Sequence, residues 1–245
     1  MALEAGLHTE LAADPELQGA EVRDLRAVPG DLSVPAGPAR RPHVTVVHTV
    51  GSDCAIGKMS VTLELDAAAR ARGLESAFVA TGQTGVAIAG WGIAVDHAIS
   101  DFVAGAAFRL VEEGARRAPL LFVEGQGSLI HPAYSGVTLG LLHGCLPDAL
   151  VLCHRAGATV LDDYPETPIP PLPDLVGLYE RLAGTVRPAR VAAIALNTRG
   201  LDGDAAQAAI GAATEDTGLP AGDPVRFGAG EMLDAVLAPA GTSPG

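Results

Sequence analysis

Short apolar runs alternate along this chain with longer segments of helical character. The runs are rich in Val, Leu and Ala, as is typical of strands buried on both faces of a parallel sheet, and they cover residues 44–47, 76–80, 119–123, 149–153 and 191–196. The helical segments cover residues 57–72, 174–183, 204–217 and 230–237, and a further helix ends near residue 113. This alternation predicts an α/β fold in three layers, with a mostly parallel central sheet.

The alternation starts at residue 43, and the residues before it differ in character. Residues 3–14 predict a short acidic helix, and residues 15–42 are punctuated by prolines at positions 29, 35, 38 and 42. We therefore predict a leader or linker at residues 1–42 and one α/β domain at residues 43–240. No stretch has the pattern of a signal peptide, and no apolar run approaches the ~20 residues of a membrane span.

Composition narrows the range of partners and the compartment. The 245 residues are 48% apolar, which is enough for a full core, and the formal charge is −13 with no run of Lys or Arg. This charge argues against nucleic acid or an anionic membrane surface as a partner. The cysteines, Cys54, Cys145 and Cys153, are too scattered for a disulfide framework or a zinc site, which favours a reducing cytoplasm.

A glycine-bounded loop joins the first strand to the first helix in the stretch VTVVHTVGSDCAIGKMS, residues 44–60. Loop amides and the first helical turn offer unpaired N–H donors to an anion, and Lys58 adds a mobile positive charge. The loop is one residue longer than in G-x-x-x-x-G-K-[ST], and Met59 stands where a magnesium-binding hydroxyl is expected. The predicted phosphate site comprises Gly51, Ser52, Asp53, Cys54, Gly57, Lys58, Met59 and Ser60.

Two features of this loop also have a simpler explanation. A tight strand-to-helix turn with a solvated Lys58 accounts for the same glycines. Cys54 lies where N–H groups at the helix terminus would lower the pKa of its thiol, or it is only a small residue that a turn tolerates.

Polar residues also follow two other predicted strands, after residues 80 and 123. In open α/β sheets ligands collect at the carboxyl ends of strands, so these loops are expected to face one pocket with the phosphate loop. Glu124 is a candidate for contacting magnesium directly or through water, and a solvated strand end is the alternative. On the substrate side of the pocket we place Thr81, Gly82, Gln83, Thr84, Gln126, Ser128 and Tyr134.

Three further features are candidates for function. His131 is suited to proton transfer near neutral pH, although a lone His is more often a hydrogen-bonded structural residue. Asn197 leaves the strand that ends near residue 196, and its amide can both donate to and accept from a purine edge. The proline-rich residues 156–173 predict either an ordered lid or substrate loop, or a plain surface wrap.

Taken together, these motifs resemble a family first described only as a protein of unknown function with a C-terminal P-loop domain, one branch of which is D-glutamate N-acetyltransferase. The resemblance covers residues 43–237 and is carried by VGSDCAIGKMS, ATGQTGVAIAGWGIAVD, SDFVAGAA, VEGQGSLIHPAYSGVTLGLLHG, PDALVLCHRAG, NTRGLD and GLPAGDPVRFGAG. It implies a P-loop NTPase-like fold. It also implies that Thr81, Gly82, Gln83, Thr84 and His131 lie in substrate-side loops.

The same residues are similar, more distantly, to dethiobiotin synthetase. The long loop resembles its G-[ST]-D-x-x-[IV]-G-K motif, in which the loop Asp faces the metal, and Glu124 to Gly127 resemble its Glu-Gly-x-Gly signature. This resemblance makes Asp53, Ser60 and Glu124 candidate metal ligands. Members of the first family also carry an N-terminal Rossmann-like domain, and residues 2–17 resemble only its last helix and exit, so residues 1–42 are interpreted as a remnant of that domain.

Three functions remain open from the sequence. The first is acyl transfer from acetyl-CoA to the amine of a small amino acid, with His131 as the base. The second is an ATP- and magnesium-dependent ligase or kinase, in which Lys58 stabilises a transferred phosphoryl group and Glu124 binds the metal. The third is a nucleotide-binding protein without turnover. In each case we expect a small amino acid-like ligand and a homo-oligomer.

Overall fold

The computed structural model describes residues 13–17, 23–37 and 43–238, so the helix expected at residues 3–14 lies almost wholly outside the described residues. Six parallel strands form one sheet in the order β2-β3-β1-β4-β5-β6. They are β1 (Thr45–Gly51), β2 (Ser76–Val79), β3 (Leu120–Val123), β4 (Ala149–Arg155), β5 (Arg190–Asn197) and β6 (Ala221–Gly222). The predicted α/β fold with a parallel sheet is confirmed.

Eight α-helices follow or connect these strands. They are α1 (Lys58–Ala71), α2 (Gln83–Ala89), α3 (Val103–Gly114), α4 (Ser135–Cys145), α5 (Leu172–Gly184), α6 (Gly203–Thr217), α7 (Pro224–Phe227) and α8 (Gly230–Leu237), within the described ranges. None of these helices is long and apolar enough to cross a membrane.

The alternation of side chains along β1 explains the three layers. Val47 packs in one core cluster with Leu65 of α1 and Leu233 of α8. Its neighbour Val46 packs in another cluster with Leu110 of α3. Successive residues of a strand point to opposite faces, so β1 is buried on both sides, and its continuous apolar run is the expected result.

The helix α4 was not expected from the sequence. Two of its glycines lie where a side chain would collide with α3. A Cβ on Gly140 would lie 2.6 Å from a Val103 side-chain carbon, and a Cβ on Gly144 would lie 2.1 Å from the carbonyl oxygen of Ala104. Both glycines therefore allow α4 to pack closely on α3.

The described part of the predicted leader packs on the α/β domain. Ion pairs join Arg26 to Asp96 at 2.7 Å and Asp31 to Arg109 at 2.6 Å. A Cβ on Gly105 would lie 1.6 Å from the carbonyl oxygen of Ser33, so the leader crosses α3 in close contact. The domain boundary at residue 42 stays a prediction, because packing contacts of residues 23–37 do not test whether these residues fold independently of the α/β domain.

Candidate functional site

The loop from Gly51 to Gly57 leaves the carboxyl end of β1 and enters α1 at Lys58. Gly57 has φ 106°, a left-handed conformation that a side chain would strain. A Cβ on Gly51 would lie 3.1 Å from the Lys58 Nζ, so the glycine lets the ammonium fold back over the loop. The loop and residues 125–127 line a cavity of about 380 Å³. Strand, loop and helix thus have the predicted phosphate-binding arrangement.

Lys58 is the only lysine in the chain, and its side chain is buried at 6% exposure. Its Nζ donates to the carbonyl oxygen of Asp53 at 2.5 Å, and within the described residues no carboxylate lies within 4.0 Å of it. Burial lowers the pKa of Lys58, while nearby Cys153, Cys54, Asp53 and Glu124 act in the opposite direction. The solvated lysine of the alternative interpretation is therefore wrong.

Ser52 and Asp53 are anchored within the protein. The hydroxyl of Ser52 and the Nδ1 of His154 are hydrogen-bonded at 2.8 Å. The carboxylate of Asp53 accepts from the backbone amides of Cys54 at 2.6 Å and Asp162 at 2.9 Å. These contacts give Asp53 a structural role in the loop, and its contact with a metal stays a prediction.

Glu124 ties the end of β3 to the loop after β2. Its Oε2 accepts from the backbone amides of Thr81 at 2.9 Å and Gly82 at 3.1 Å, and its backbone carbonyl accepts from the Thr81 hydroxyl at 3.0 Å. Burial raises the pKa of the carboxyl, and the hydrogen bonds from Thr81 and Gly82 oppose this. Glu124 is thus not a plain solvated strand end, because one of its oxygens holds the second glycine-rich loop.

Gln126 lies in the loop after β3 and contacts the loop after β2. Its amide nitrogen donates to the carbonyl oxygen of Thr81 at 2.5 Å. It borders both the phosphate-loop cavity and a neighbouring cavity of about 260 Å³, which Gln83 and Thr84 also line. Met59 borders the same two cavities. The structure therefore brings the two loops together, although Gln83 and Thr84 belong to helix α2 and not to a loop.

His131 is buried against aromatic rings beside the phosphate loop. Its ring stacks on Tyr134 at 4.7 Å between centroids and meets the edge of Tyr164 at 5.1 Å. Ser128 is fully buried, and its hydroxyl accepts from the amide of Ile130 at 3.4 Å. Tyr134 is half exposed. His131 and Tyr134 are therefore in contact, and the contact of Ser128 or Tyr134 with a substrate stays a prediction.

Asn197 and Cys54 lie at the loop in ways the sequence did not predict. The amide nitrogen of Asn197 donates to the carbonyl oxygen of Ile56 at 3.1 Å, and its amide oxygen accepts from the Arg199 amide at 3.0 Å. Asn197 thus braces the phosphate loop, and its contact with a purine stays a prediction. Burial raises the pKa of the Cys54 thiol, with the charge of Lys58 opposing, so of the two interpretations of Cys54 the one with a lowered pKa is wrong.

Tyr179 of α5 is a site residue that the sequence analysis missed. Its hydroxyl donates to the Gly51 carbonyl at 2.7 Å and accepts from the amides of Gly51 at 3.3 Å and Leu129 at 3.2 Å. It is fully buried, and burial raises its pKa to about 12. A buried Tyr needs a partner for its hydroxyl, but nothing in the sequence indicates a partner 128 residues away.

A larger cavity, of about 430 Å³, lies at the opposite end of the sheet. It is lined by the amino ends of β1 and β3 and by the ion-paired Asp148 and Arg187. Ligands of open α/β sheets bind at the carboxyl ends of the strands, so size alone does not make it the functional site.

Comparison with known proteins identifies the family. A family model described as a domain of unknown function (DUF1611_C) P-loop domain matches residues 33–233. The chain belongs to the DUF1611 family. Its P-loop NTPase-like fold, expected from the sequence, is confirmed by this match and by the strand, loop and helix geometry.

Two named relatives and one solved structure are similar to most of this chain. It is 39% identical over 243 residues to a D-glutamate N-acetyltransferase of Tritonibacter scottomollicae, covering 96% of this chain and 72% of the relative. It is 38% identical over 191 residues to a D-glutamate N-acetyltransferase of a Pseudoalteromonas species, covering 78% of this chain and 56% of the relative. The crystal structure of a DUF1611 family protein from Anabaena variabilis ATCC 29413 superposes with a TM-score of 0.86 at 48% identity, covering 95% of this chain and 70% of that one.

Proposed function

We propose that this chain transfers an acetyl group from acetyl-CoA to the amine of D-glutamate or a closely related amino acid. Two relatives at 39% and 38% identity carry the name D-glutamate N-acetyltransferase, which supports the class of reaction. The match spans 72% and 56% of the lengths of these relatives. Their activity is therefore proposed for this chain and not assigned to it.

The observation that carries the proposal is the burial of the Lys58 ammonium group. A buried ammonium without a carboxylate partner among the described residues is costly, unless an anion occupies the adjoining cavity of about 380 Å³. Coenzyme A has a pyrophosphate and a ribose 3′-phosphate, and either is suited to loop amides, the amino end of α1 and one ammonium group. The net charge of −13 makes this local positive site necessary for an anionic ligand.

A second candidate is an ATP- and magnesium-dependent ligase or kinase. The position of two buried carboxylates, Asp53 and Glu124, beside the phosphate loop favours it. However, Asp53 uses both oxygens on backbone amides, and Glu124 uses one oxygen on two amides. These contacts explain both carboxylates without a metal, so acyl transfer is preferred. Binding without turnover is the third candidate.

The proposal is tested by ligand-dependent stabilisation and by product formation. Acetyl-CoA is expected to raise the melting temperature more than ATP with magnesium, because a ligand of the folded state stabilises it by mass action. Mass spectrometry should then detect N-acetyl-D-glutamate when D-glutamate and acetyl-CoA are supplied, with L-glutamate as the comparison substrate. Stabilisation by ATP with magnesium alone would instead support the ligase.

Two variants test whether the stabilisation by acetyl-CoA depends on the phosphate loop. Lys58→Met keeps the length of the side chain and removes its charge, so it should abolish most of the stabilisation by acetyl-CoA. Arg116→Met removes one positive charge from an exposed residue after α3 that lines neither cavity at the loop, and it should leave the stabilisation unchanged. An equal effect of the two variants would show that Lys58 does not hold the ligand.

A further inference from the structure

Three side chains with chemically reactive groups meet at the mouth of the phosphate loop. A ring nitrogen of His131, the sulfur of Cys54 and a carboxylate oxygen of Asp53 all lie within 4.8 Å of one another. Cys54 is half-buried and lines the phosphate-loop cavity, whereas Cys145 and Cys153 are fully buried. The thiol of Cys54 is therefore the one in contact with the space where an anionic ligand would bind.

The imidazole of His131 has one donor that no described residue uses. Its Nδ1 accepts from the backbone amide of Ala133 at 3.2 Å, which leaves the ring proton of the neutral imidazole on Nε2. The side chain is 1% exposed, and Nε2 has no hydrogen-bond partner in the described part of the chain. An unpaired buried donor is costly, so its retention indicates a group that it meets during function.

The same three residue types also bind transition metals, but two observations favour chemistry at the sulfur. A metal on Nε2 would require that nitrogen to lose its proton, while the Ala133 contact holds the proton there. The ammonium of Lys58 donates to the Asp53 carbonyl at 2.5 Å, which places a positive charge beside the cluster. A nearby ammonium and a free N–H donor favour negative charge on the sulfur and repel a cation, although burial raises the pKa of the Cys54 thiol.

We propose that Cys54 is a nucleophile that carries the acetyl group as a thioester before an amine receives it. The proposal rests on the acetyl-CoA-dependent function proposed above and specifies its course. His131 donates from Nε2 to the Cys54 sulfur while that sulfur is negatively charged, so it acts as a donor and not as the base expected from the sequence. Asp53, which is held by the amides of Cys54 and Asp162, keeps the loop in place.

The two half-reactions balance without an oxidant or reductant. In the first, the Cys54 sulfur bonds to the acetyl carbonyl carbon and the bond from that carbon to the coenzyme A sulfur breaks. The proton lost by Cys54 ends on the coenzyme A thiol. In the second, the amine nitrogen bonds to the same carbon, the bond to the Cys54 sulfur breaks, and one amine proton ends on that sulfur.

The decisive experiment uses the wild-type protein with acetyl-CoA and no amine. We expect labelled coenzyme A to exchange into acetyl-CoA, because the first half-reaction is reversible. We also expect peptide mapping to place one acetyl group on Cys54, and not on Cys145 or Cys153, with release by hydroxylamine. If D-glutamate is acetylated but neither exchange nor thioester is found, the thioester is wrong and the proposed function stands. If no amine is acetylated and acetyl-CoA does not bind, both proposals are wrong.

Variants assign the parts played by Cys54 and His131. Cys54→Ala should abolish the exchange while acetyl-CoA still raises its melting temperature, since Lys58 is intact. Full acetylation activity in that variant would overturn the proposal. His131→Leu should slow the exchange by about 10²-fold, the usual effect of losing one aligned donor. His131→Gln retains an N–H and should lose less. Equal exchange rates in the wild type and His131→Leu would remove His131 from the reaction, and wild-type exchange remains decisive if a variant does not fold.

Discussion

The carboxylate of Asp53 accepts a hydrogen bond from the backbone amide of Asp162 at 2.9 Å, which joins the phosphate loop to the proline-rich segment. That segment is ordered by its own contacts, including an antiparallel bridge between Val160 and Pro168. Its Tyr164 reaches the ring of His131. Residues 156–171 therefore lie over the phosphate loop with a defined conformation, as expected of an ordered loop. Movement as a lid stays a prediction.

We expect Asp53→Ala to release this segment. The variant loses two charge-assisted hydrogen bonds, so the free energy of unfolding should fall by about 1.5–3 kcal/mol. Hydrogen exchange of the amides in residues 158–170 should become faster than in the wild type. Asp163→Ala, an exposed neighbour in the same segment, is the control and should change neither quantity. Unchanged exchange in Asp53→Ala would show that the segment is held by its other contacts.

Tyr179→Phe tests the contact between α5 and the phosphate loop. The substitution leaves the buried amide of Gly51 and the partly buried amide of Leu129 without the hydroxyl, so urea denaturation should show a free energy of unfolding lower by about 1–3 kcal/mol. Tyr134→Phe, whose hydroxyl belongs to a half-exposed side chain, should change stability by less than about 0.5 kcal/mol. A loss no larger in Tyr179→Phe than in Tyr134→Phe would mean that water replaces the missing hydroxyl.

Gly85→Ala should disturb the loop that Glu124 holds. A Cβ at Gly85 would lie 2.5 Å from the Glu124 Oε2, which must then leave the amides of Thr81 and Gly82. The lost hydrogen bonds, about 1.5–3 kcal/mol, outweigh the helix preference of alanine, about 1 kcal/mol. Thermal unfolding should therefore show destabilisation. Gly211→Ala, in α6 with nothing within 4 Å of the added Cβ, should instead be stabilising. If Gly85→Ala and Gly211→Ala were both stabilising, the Glu124 carboxylate would not be in close contact with Gly85.

His48 should make stability depend on pH. It is 1% exposed, its Nδ1 is hydrogen-bonded to the Val123 carbonyl at 3.2 Å, and burial lowers its pKa to about 4. The unfolded chain binds this proton near pH ~6.5, so its contribution is complete above that pH and is lost as the pH falls towards 4. The free energy of unfolding should fall by about 3 kcal/mol over this pH range.

Urea denaturation at several pH values between 4 and 7 measures this loss. His48→Gln has no titrating ring, so its free energy of unfolding should fall less steeply with decreasing pH than that of the wild type. His43→Gln, at an exposed histidine, should keep the wild-type slope. Equal slopes in all three proteins would show that burial does not lower the pKa of His48.

The sequence by itself determined the elements that depend on local pattern. The apolar runs predicted five of the six strands, and the sixth, β6, has only two residues and no such run. The glycines and Lys58 between β1 and α1 predicted the phosphate loop, because the backbone conformation and the charge are properties of neighbouring residues. Together they were sufficient to predict the fold and the edge of the sheet where the site lies.

Only the tertiary structure decided which partner each polar side chain has. Glu124 holds the amides of residues 81 and 82, Tyr179 holds Gly51, and Asp53 holds Asp162, across separations of 42 to 128 residues. Gly140 and Gly144 serve the packing of α4 on α3 for the same reason. Hydrogen bonds and close contacts form between atoms that folding brings within about 3 Å, and no local pattern of residues encodes such a meeting.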